Sequence, residues 1–373
     1  MVLSIIFGSC QREDTFLGVE PLSGSKLVED APELKGLGPW INSEPFTLED
    51  QKGKVVLIDF WTYTCINCIR TLPYLNDWHA KYSDEGLVIL GVHAPEFEFE
   101  KLTKNVQESV RRFGIEYPVA QDNSMVTWDV FSNRYWPAKY ILDQNGAVRY
   151  QHFGEGSYEE TESIIRALLT DAGYDVSDIG FSFDLRDSEI TSSEHRKNQT
   201  RELYTGTYRN YTANPFHPPY VGNQEYFENV GSPFWTKETY FYDPDEHENG
   251  RIYINGLWSR EEESLKHARD SLDESDYIAL KFSASEVNAV FGSPGIPYVV
   301  YVTVNGTPLD HSEKGDDILF DGKGMSFINV ERSDMFNLVR LEKFQTGELK
   351  LSSKSSHFEI YSFTFGSKPE TRN

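Results

Sequence analysis

The chain has 373 residues, too long for one ordinary domain and well suited to two of roughly 150 to 200 residues each. Hydrophobic residues make up 39% and aromatic residues 14%, which argues against wholesale disorder and for globular units with a substantial β component. A net charge of −24, spread over both halves without a basic cluster, argues against nucleic acid and against anionic lipid as partners.

The first ten residues are apolar but far short of the roughly 20 that a membrane-spanning helix requires. Gly8 and Ser9 directly before Cys10 resemble the end of a bacterial lipoprotein signal with Cys10 as the acylated residue, although a basic leading region is missing. The alternative is a frayed terminus with an incidental cysteine. Residues 1–34 are therefore read as a signal remnant or lipoprotein tether, because the stretch after Cys10 is rich in Gly, Ser, Pro and Glu.

A first domain is expected over residues 35–172. Residues 46–55 read as a hairpin turning at Lys52-Gly53, and residues 55–61 as a central strand buried on both faces, with Asp59 its one polar exception. Apolar residues at Ile69, Leu72, Leu75, Trp78 and Tyr82 have helical spacing, interrupted by Pro73, where a kink is expected. Gly86 ends that helix. Residues 87–93 form a second strand, 100–113 a second helix, 117–121 a short strand and 124–132 a short helix. A hairpin about Gln144-Asn145-Gly146 and a helix over 157–170 complete a mixed α/β sheet.

Residues 173–200 are a polar linker, 201–368 a second domain and 369–373 a tail. In the second domain, apolar and polar residues alternate at 238–242, 251–255, 277–282, 298–303, 336–341, 348–351 and 358–363, with a turn signal at Asn305-Gly306. This pattern predicts an antiparallel β-sandwich of jelly-roll type.

Only three cysteines occur, Cys10, Cys65 and Cys68, so the chain is no disulfide scaffold. A bridge between Cys65 and Cys68 closes a tiny loop and stabilises little, so the pairing needs a chemical reason. Cys65-Ile66-Asn67-Cys68 lies between the buried strand and the helix, which puts the first sulfur at a helix N-terminus where unpaired N–H groups favour a thiolate. Cys65 is the expected nucleophile and Cys68 the resolving thiol. The alternatives are two structural thiols or half a zinc site. Zinc needs four ligands, and the sequence offers neither a second cysteine pair nor a closely spaced His pair; His79, His93 and His152 are scattered. No metal and no cofactor beyond the redox-active Cys65–Cys68 disulfide are expected.

Asp59-Phe60-Trp61-Thr62-Tyr63-Thr64-Cys65-Ile66-Asn67-Cys68, Pro73 and Tyr135-Trp136-Pro137 together resemble thioredoxin-fold proteins of the TlpA/ResA class. Residues 91–96, 117–123 and 133–139 are similar to the extracytoplasmic C-terminal region of DipZ-type cytochrome c biogenesis proteins, in which the second domain resembles a carbohydrate-binding module. The resemblance implies a thiol-disulfide oxidoreductase acting outside the cytoplasm on disulfide-containing exported proteins, with a separate membrane electron donor of the CcdA/DsbD type. It also implies a cis peptide before Pro137, with the preceding backbone pairing with substrate as an added strand. Asp59 is expected to be a buried acid that accepts the Cys68 proton, with its pKa raised by burial; the alternative is a hydrogen-bonded strand residue without that role. Glu96 is a second candidate acid, and Trp61, Thr64 and Trp136 border the substrate-binding surface. Two departures stand out: Thr64 replaces the usual Trp before the first cysteine, and no proline separates the cysteines, so the redox poise is altered.

Aromatic residues cluster early in the second domain, among them Tyr204, Tyr208, Tyr211, Phe216 and Trp235. They either pack its core or stack on sugar rings. A cell-surface glycan- or protein-binding module with an accessory redox domain is thus the rival to the enzyme. A thioredoxin-fold peroxidase would need a Pro-x-x-x-Thr-x-x-Cys segment, which is absent.

Overall fold

The structure is a computed structural model that describes residues 30–182, 198–209, 237–244 and 246–366. Cys10, residues 183–197 of the expected linker, most of the aromatic cluster and the C-terminal tail lie outside the described residues. Among the described residues, no helix is long and apolar enough to cross a membrane.

The first unit comprises β1 (Trp40–Ile41), β2 (Val55–Trp61), α1 (Ile66–Tyr82), β3 (Leu87–His93), α2 (Thr103–Arg112), β4 (Val119–Gln121), α3 (Val126–Val130), β5 (Ala138–Leu142), β6 (Val148–Phe153) and α4 (Tyr158–Asp171). Every residue of β2 is buried, as befits a central strand with neighbours on both edges and both faces. Those neighbours are β3, in parallel, and β5, antiparallel, within a sheet ordered β1-β4-β3-β2-β5-β6. One core packs α1 and α4 against Val55, Leu57 and Trp61; on the other face α3 covers Val56, Ile58 and Phe60. The helix continues through Pro73, which cannot donate to the Ile69 carbonyl.

The hairpin expected over 46–55 does not form. Asp50 accepts the Thr47 N–H and hydroxyl at 2.8 and 2.7 Å, and Glu49–Gln51 fold into a 3₁₀ turn before the chain enters β2. The second expected hairpin is present between β5 and β6. Its turn is held by Asp143, whose Oδ1 accepts the N–H groups of Asn145 and Ala147 at 2.9 and 3.1 Å.

The second unit is antiparallel throughout its strand pairings. It comprises β7 (Leu203–Tyr204), β8 (Glu238–Phe241), β9 (Ile252–Arg260), β10 (Leu265–His267), β11 (Tyr277–Gly292), β12 (Tyr298–Val304), β13 (Thr307–Pro308), β14 (Leu319–Phe320), β15 (Ser326–Val330), β16 (Asp334–Ser352) and β17 (Glu359–Gly366). The runs read as separate strands at 336–341 and 348–351 are one 19-residue strand, β16. These strands form one 11-stranded sheet folded around a single core. The turn of the fold lies in β11. It pairs with β9 through Tyr277–Leu280 and with β17 from Glu286 onward, and the register against β16 shifts between Ala284 and Glu286.

The two units meet on the side of α1 and α2. Arg70 on α1 donates to Glu286 on β11 at 2.7 Å, and Arg112 at the end of α2 pairs with the buried Asp334 of β16. Phe97 and Phe99 set their rings 5.0 and 4.9 Å from Tyr361 on β17.

Gly86 sets the path from α1 into β3. Its φ is +83°, and an added Cβ would lie 2.3 Å from the Tyr174 ring. Gly86→Ala is therefore expected to lower the stability of the first unit by at least about 1 kcal/mol, from left-handed backbone strain alone, read as a reduced urea midpoint by tryptophan fluorescence.

Candidate redox site

Cys65 sits where β2 passes into α1. Its backbone is still extended (φ −81°, ψ 112°), its carbonyl accepts the Ile69 N–H at 3.0 Å, and its sulfur accepts the Cys68 N–H at 3.4 Å. The sulfur thus fills the N-cap position, supplying an acceptor to one of the orphan N–H groups at the positive end of the helix dipole. Cys65 is half-buried and Cys68 is buried, and both are free thiols. Burial pushes the Cys68 thiol well up, and the neighbouring Cys65 sulfur and the Asp59 carboxylate push it further in the same direction. One sulfur is reachable from outside; the other ionises only when something takes its proton.

Asp59 is fully enclosed at the centre of β2, and across the β2–β5 register it stands opposite Lys139, which is equally buried. Neither Asp59 Oδ1 nor Lys139 Nζ has a hydrogen-bond partner. Desolvation raises the Asp59 pKa to about 7, against the opposing pull of Lys139, while burial lowers the Lys139 pKa. A carboxyl balanced between its two states near neutral pH, electrostatically coupled to Cys68, has the properties of a proton acceptor for that thiol. Lys139 was not singled out from the sequence. The signal for it is a lone cation in the apolar run Ala138-Lys139-Tyr140-Ile141-Leu142.

The carboxyl that binds beside the cysteines is not that of Glu96. Glu96 spends its carboxylate on the second unit, accepting from the Tyr204 hydroxyl at 2.8 Å and pairing with Arg209. Four residues later, Glu100 is completely buried. Its Oε1 accepts the Thr64 hydroxyl at 2.5 Å, and its Oε2 accepts the N–H groups of Glu96 and Phe97 at 2.5 and 3.0 Å. Burial first, and the Glu96 charge second, raise the Glu100 pKa to about 7. Glu100 is therefore the carboxyl bound to the residue before Cys65. Spacing from β3 could not find it, because the turn Glu98–Lys101 folds it back inward.

Two residues expected at the substrate-binding surface are interior. Trp61 is wholly buried on the central strand with its ring 5.3 Å from His93, and Thr64 is buried by its bond to Glu100. Trp136 is half-buried, donating from Nε1 to the Ala94 carbonyl at 3.0 Å with its ring 4.2 Å from Trp128. The peptide before Pro137 is cis, and the Pro137 carbonyl accepts the Gly154 N–H at 2.8 Å. The exposed aromatics beside this turn are Tyr135 and Phe153, 5.2 Å apart, neither anticipated as a surface feature. His93 is buried between Trp61 and Tyr63, and burial lowers its pKa to about 3, so it stays neutral. Among the described residues, no three His, Cys, Asp or Glu side chains converge on a metal position.

The sign of the Asp59 shift fixes a stability trend. Because its folded pKa lies above its ordinary 3.8, the folded chain holds a proton between pH 3.8 and about 7 that the unfolded chain has released, so this group's contribution falls as pH rises through that window. Asp59→Asn removes the trend. Its urea midpoint relative to wild type is expected to be higher at pH 8 than at pH 4, and an equal difference at both pH values would contradict the buried, shifted carboxyl.

Both parts of the chain resemble known protein families. A model of the AhpC/TSA family matches residues 29–151, and a model of the thioredoxin-like C-terminal domain matches residues 219–366. Protein DipZ of Mycobacterium tuberculosis is 50% identical over 145 residues, 38% of this chain and 21% of DipZ, so the chain spans about a fifth of the length of that relative. Thiol-disulfide oxidoreductase YkuV of Bacillus subtilis is 31% identical over 147 residues, covering 39% of this chain and 98% of YkuV. Among solved structures, a thiol:disulfide interchange protein of the thioredoxin family from Chlorobium tepidum matches at 20% identity and a TM-score of 0.34, covering 39% of this chain and 99% of its own. With a free Cys-x-x-Cys pair at a helix N-terminus and a relative matched over nearly its whole length, the chain belongs to the thioredoxin-like thiol-disulfide oxidoreductases.

Proposed function

We propose that the Cys65/Cys68 couple exchanges disulfides with exported proteins outside the cytoplasm, in a role related to cytochrome c maturation. The observation that carries the exchange is the asymmetry of the two sulfurs, a half-buried Cys65 at the N-cap and a buried Cys68 coupled to Asp59. The setting outside the cytoplasm is supported by the likeness to DipZ, as is a membrane electron donor of the CcdA/DsbD type. Acylation of Cys10 belongs to the same reading. Sugar stacking on the second unit is a separate proposal, for which Tyr208 and Tyr242 expose their rings.

In the reducing direction the Cys65 thiolate attacks one sulfur of a substrate disulfide. A bond forms between Cys65 and that sulfur, and the other substrate sulfur leaves as a thiolate. Cys68 then gives its proton to Asp59 and attacks the Cys65 sulfur. The mixed disulfide breaks, the second substrate thiolate leaves, and the Cys65–Cys68 disulfide remains. The substrate gains two electrons and the couple loses two. Run backwards, the same steps oxidise a substrate dithiol. Pro137 is the turn along which the substrate backbone pairs during the attack.

Insulin reduction by the full chain, with dithiothreitol as donor, tests this reading. Cys65→Ser is expected to abolish turnover, and Cys68→Ser to accumulate a mixed disulfide visible by non-reducing mass analysis. Asp59→Asn is expected to slow release of that intermediate by about tenfold or more while leaving its formation unchanged. Turnover that survives Cys65→Ser would sink the proposal.

A further inference from the structure

The turn that carries Glu100 is held from two sides. On the inner side Glu100 binds Thr64, the residue before Cys65. Within the first unit Asn105, Gln121 and Asn123 donate to the Phe99 and Lys101 carbonyls, and on the outer side the second unit adds its own contacts: Tyr204 and Arg209 bind the Glu96 carboxylate, Glu263 accepts the Glu98 N–H at 2.9 Å, and Tyr361 packs on Phe97 and Phe99. Arg209 also lies over the Tyr204 ring at 4.6 Å, which fixes the guanidinium beside Glu96. The Glu96 carboxylate is nearly buried, so an anion there without Arg209 would be poorly tolerated.

We propose that Arg209 and Tyr204 of the second unit are positioning residues for the redox centre, holding and neutralising Glu96 so that the turn presents Glu100 to Thr64 and sets the charge next to Cys65. The proposal rests on the exchange reading only in naming Cys65 as the reactive sulfur. The other groups around Glu100 do not supply the same control. Tyr63, just beyond the end of β2, interacts with it and stays neutral because burial raises its pKa. Lys101 is engaged by Glu98, and Arg112 by Asp334. Glu263 is spent on the backbone of Glu98. What biases the Glu100 carboxyl from outside is therefore the Glu96 charge and the cation that offsets it.

The test reads Cys65 alkylation by iodoacetamide in the reduced full chain, mapped by peptide mass between about pH 5 and 9. Wild type is expected to show an inflection near pH 7 from Glu100. Glu100→Gln deletes that inflection. Arg209→Leu, which leaves the Glu96 anion uncompensated, moves it up; Glu96→Gln, which removes the anion, moves it down, each by about half a pH unit or more. Arg209→Lys restores a profile near wild type. A purely structural latch would shift Arg209→Leu and Glu96→Gln in the same direction, and that outcome, or profiles that overlay wild type, overturns the proposal. Insulin turnover is a separate readout: its absence alongside opposite alkylation shifts would remove the exchange reading and leave the positioning intact.

Discussion

The redox site depends on the burial of β2 on both faces. A strand enclosed in this way leaves no solvent for Asp59, whose carboxyl must share a low-dielectric interior with Lys139 on the neighbouring strand. The same burial fixes where β2 ends, and with it the position of the Cys65 sulfur at the start of α1. Packing of Leu72, Leu75 and Trp78 against the sheet then locks α1 in place, so the helix dipole is aimed at one sulfur while the other is withdrawn into the core. The chemistry of the pair is a consequence of the sheet.

Two carboxyls near neutral pH flank the cysteines from different directions. Asp59 approaches from beneath and is coupled to the resolving thiol. Glu100 approaches from the side and reaches only as far as the Thr64 hydroxyl. Their shared cause is desolvation, but the opposing groups differ: Lys139 belongs to the same sheet as Asp59, whereas the surroundings of Glu100 extend into the second unit through Glu96 and Arg209.

The second unit touches the first at both elements that flank the cysteines. Arg70, two residues after Cys68, pairs with Glu286, and the 96–101 turn is packed by Tyr361. The bend in β11 makes this geometry available, because the register shift beyond Ala284 brings Glu286 into position to meet α1.

By itself the sequence determined the elements with strong periodicity and the chemistry carried by local spacing. The apolar run of β2, the helical spacing through Trp78 and Tyr82, the alternation of β12 and β17, and the Cys-x-x-Cys pair at a strand-to-helix junction are properties of consecutive residues, and physical rules act on them directly. The antiparallel β character of the second half was legible for the same reason, although its closure into one folded sheet was not. Only the tertiary structure decided which distant groups meet. Lys139 faces Asp59 through strand register, a 3₁₀ turn puts Glu100 rather than Glu96 against Thr64, Trp61 lies inside because the strand that carries it is central, and Thr64 lies inside where Glu100 binds it. Pairing across a sheet and contact between separate units are set by packing over long sequence separations, about which local periodicity is silent.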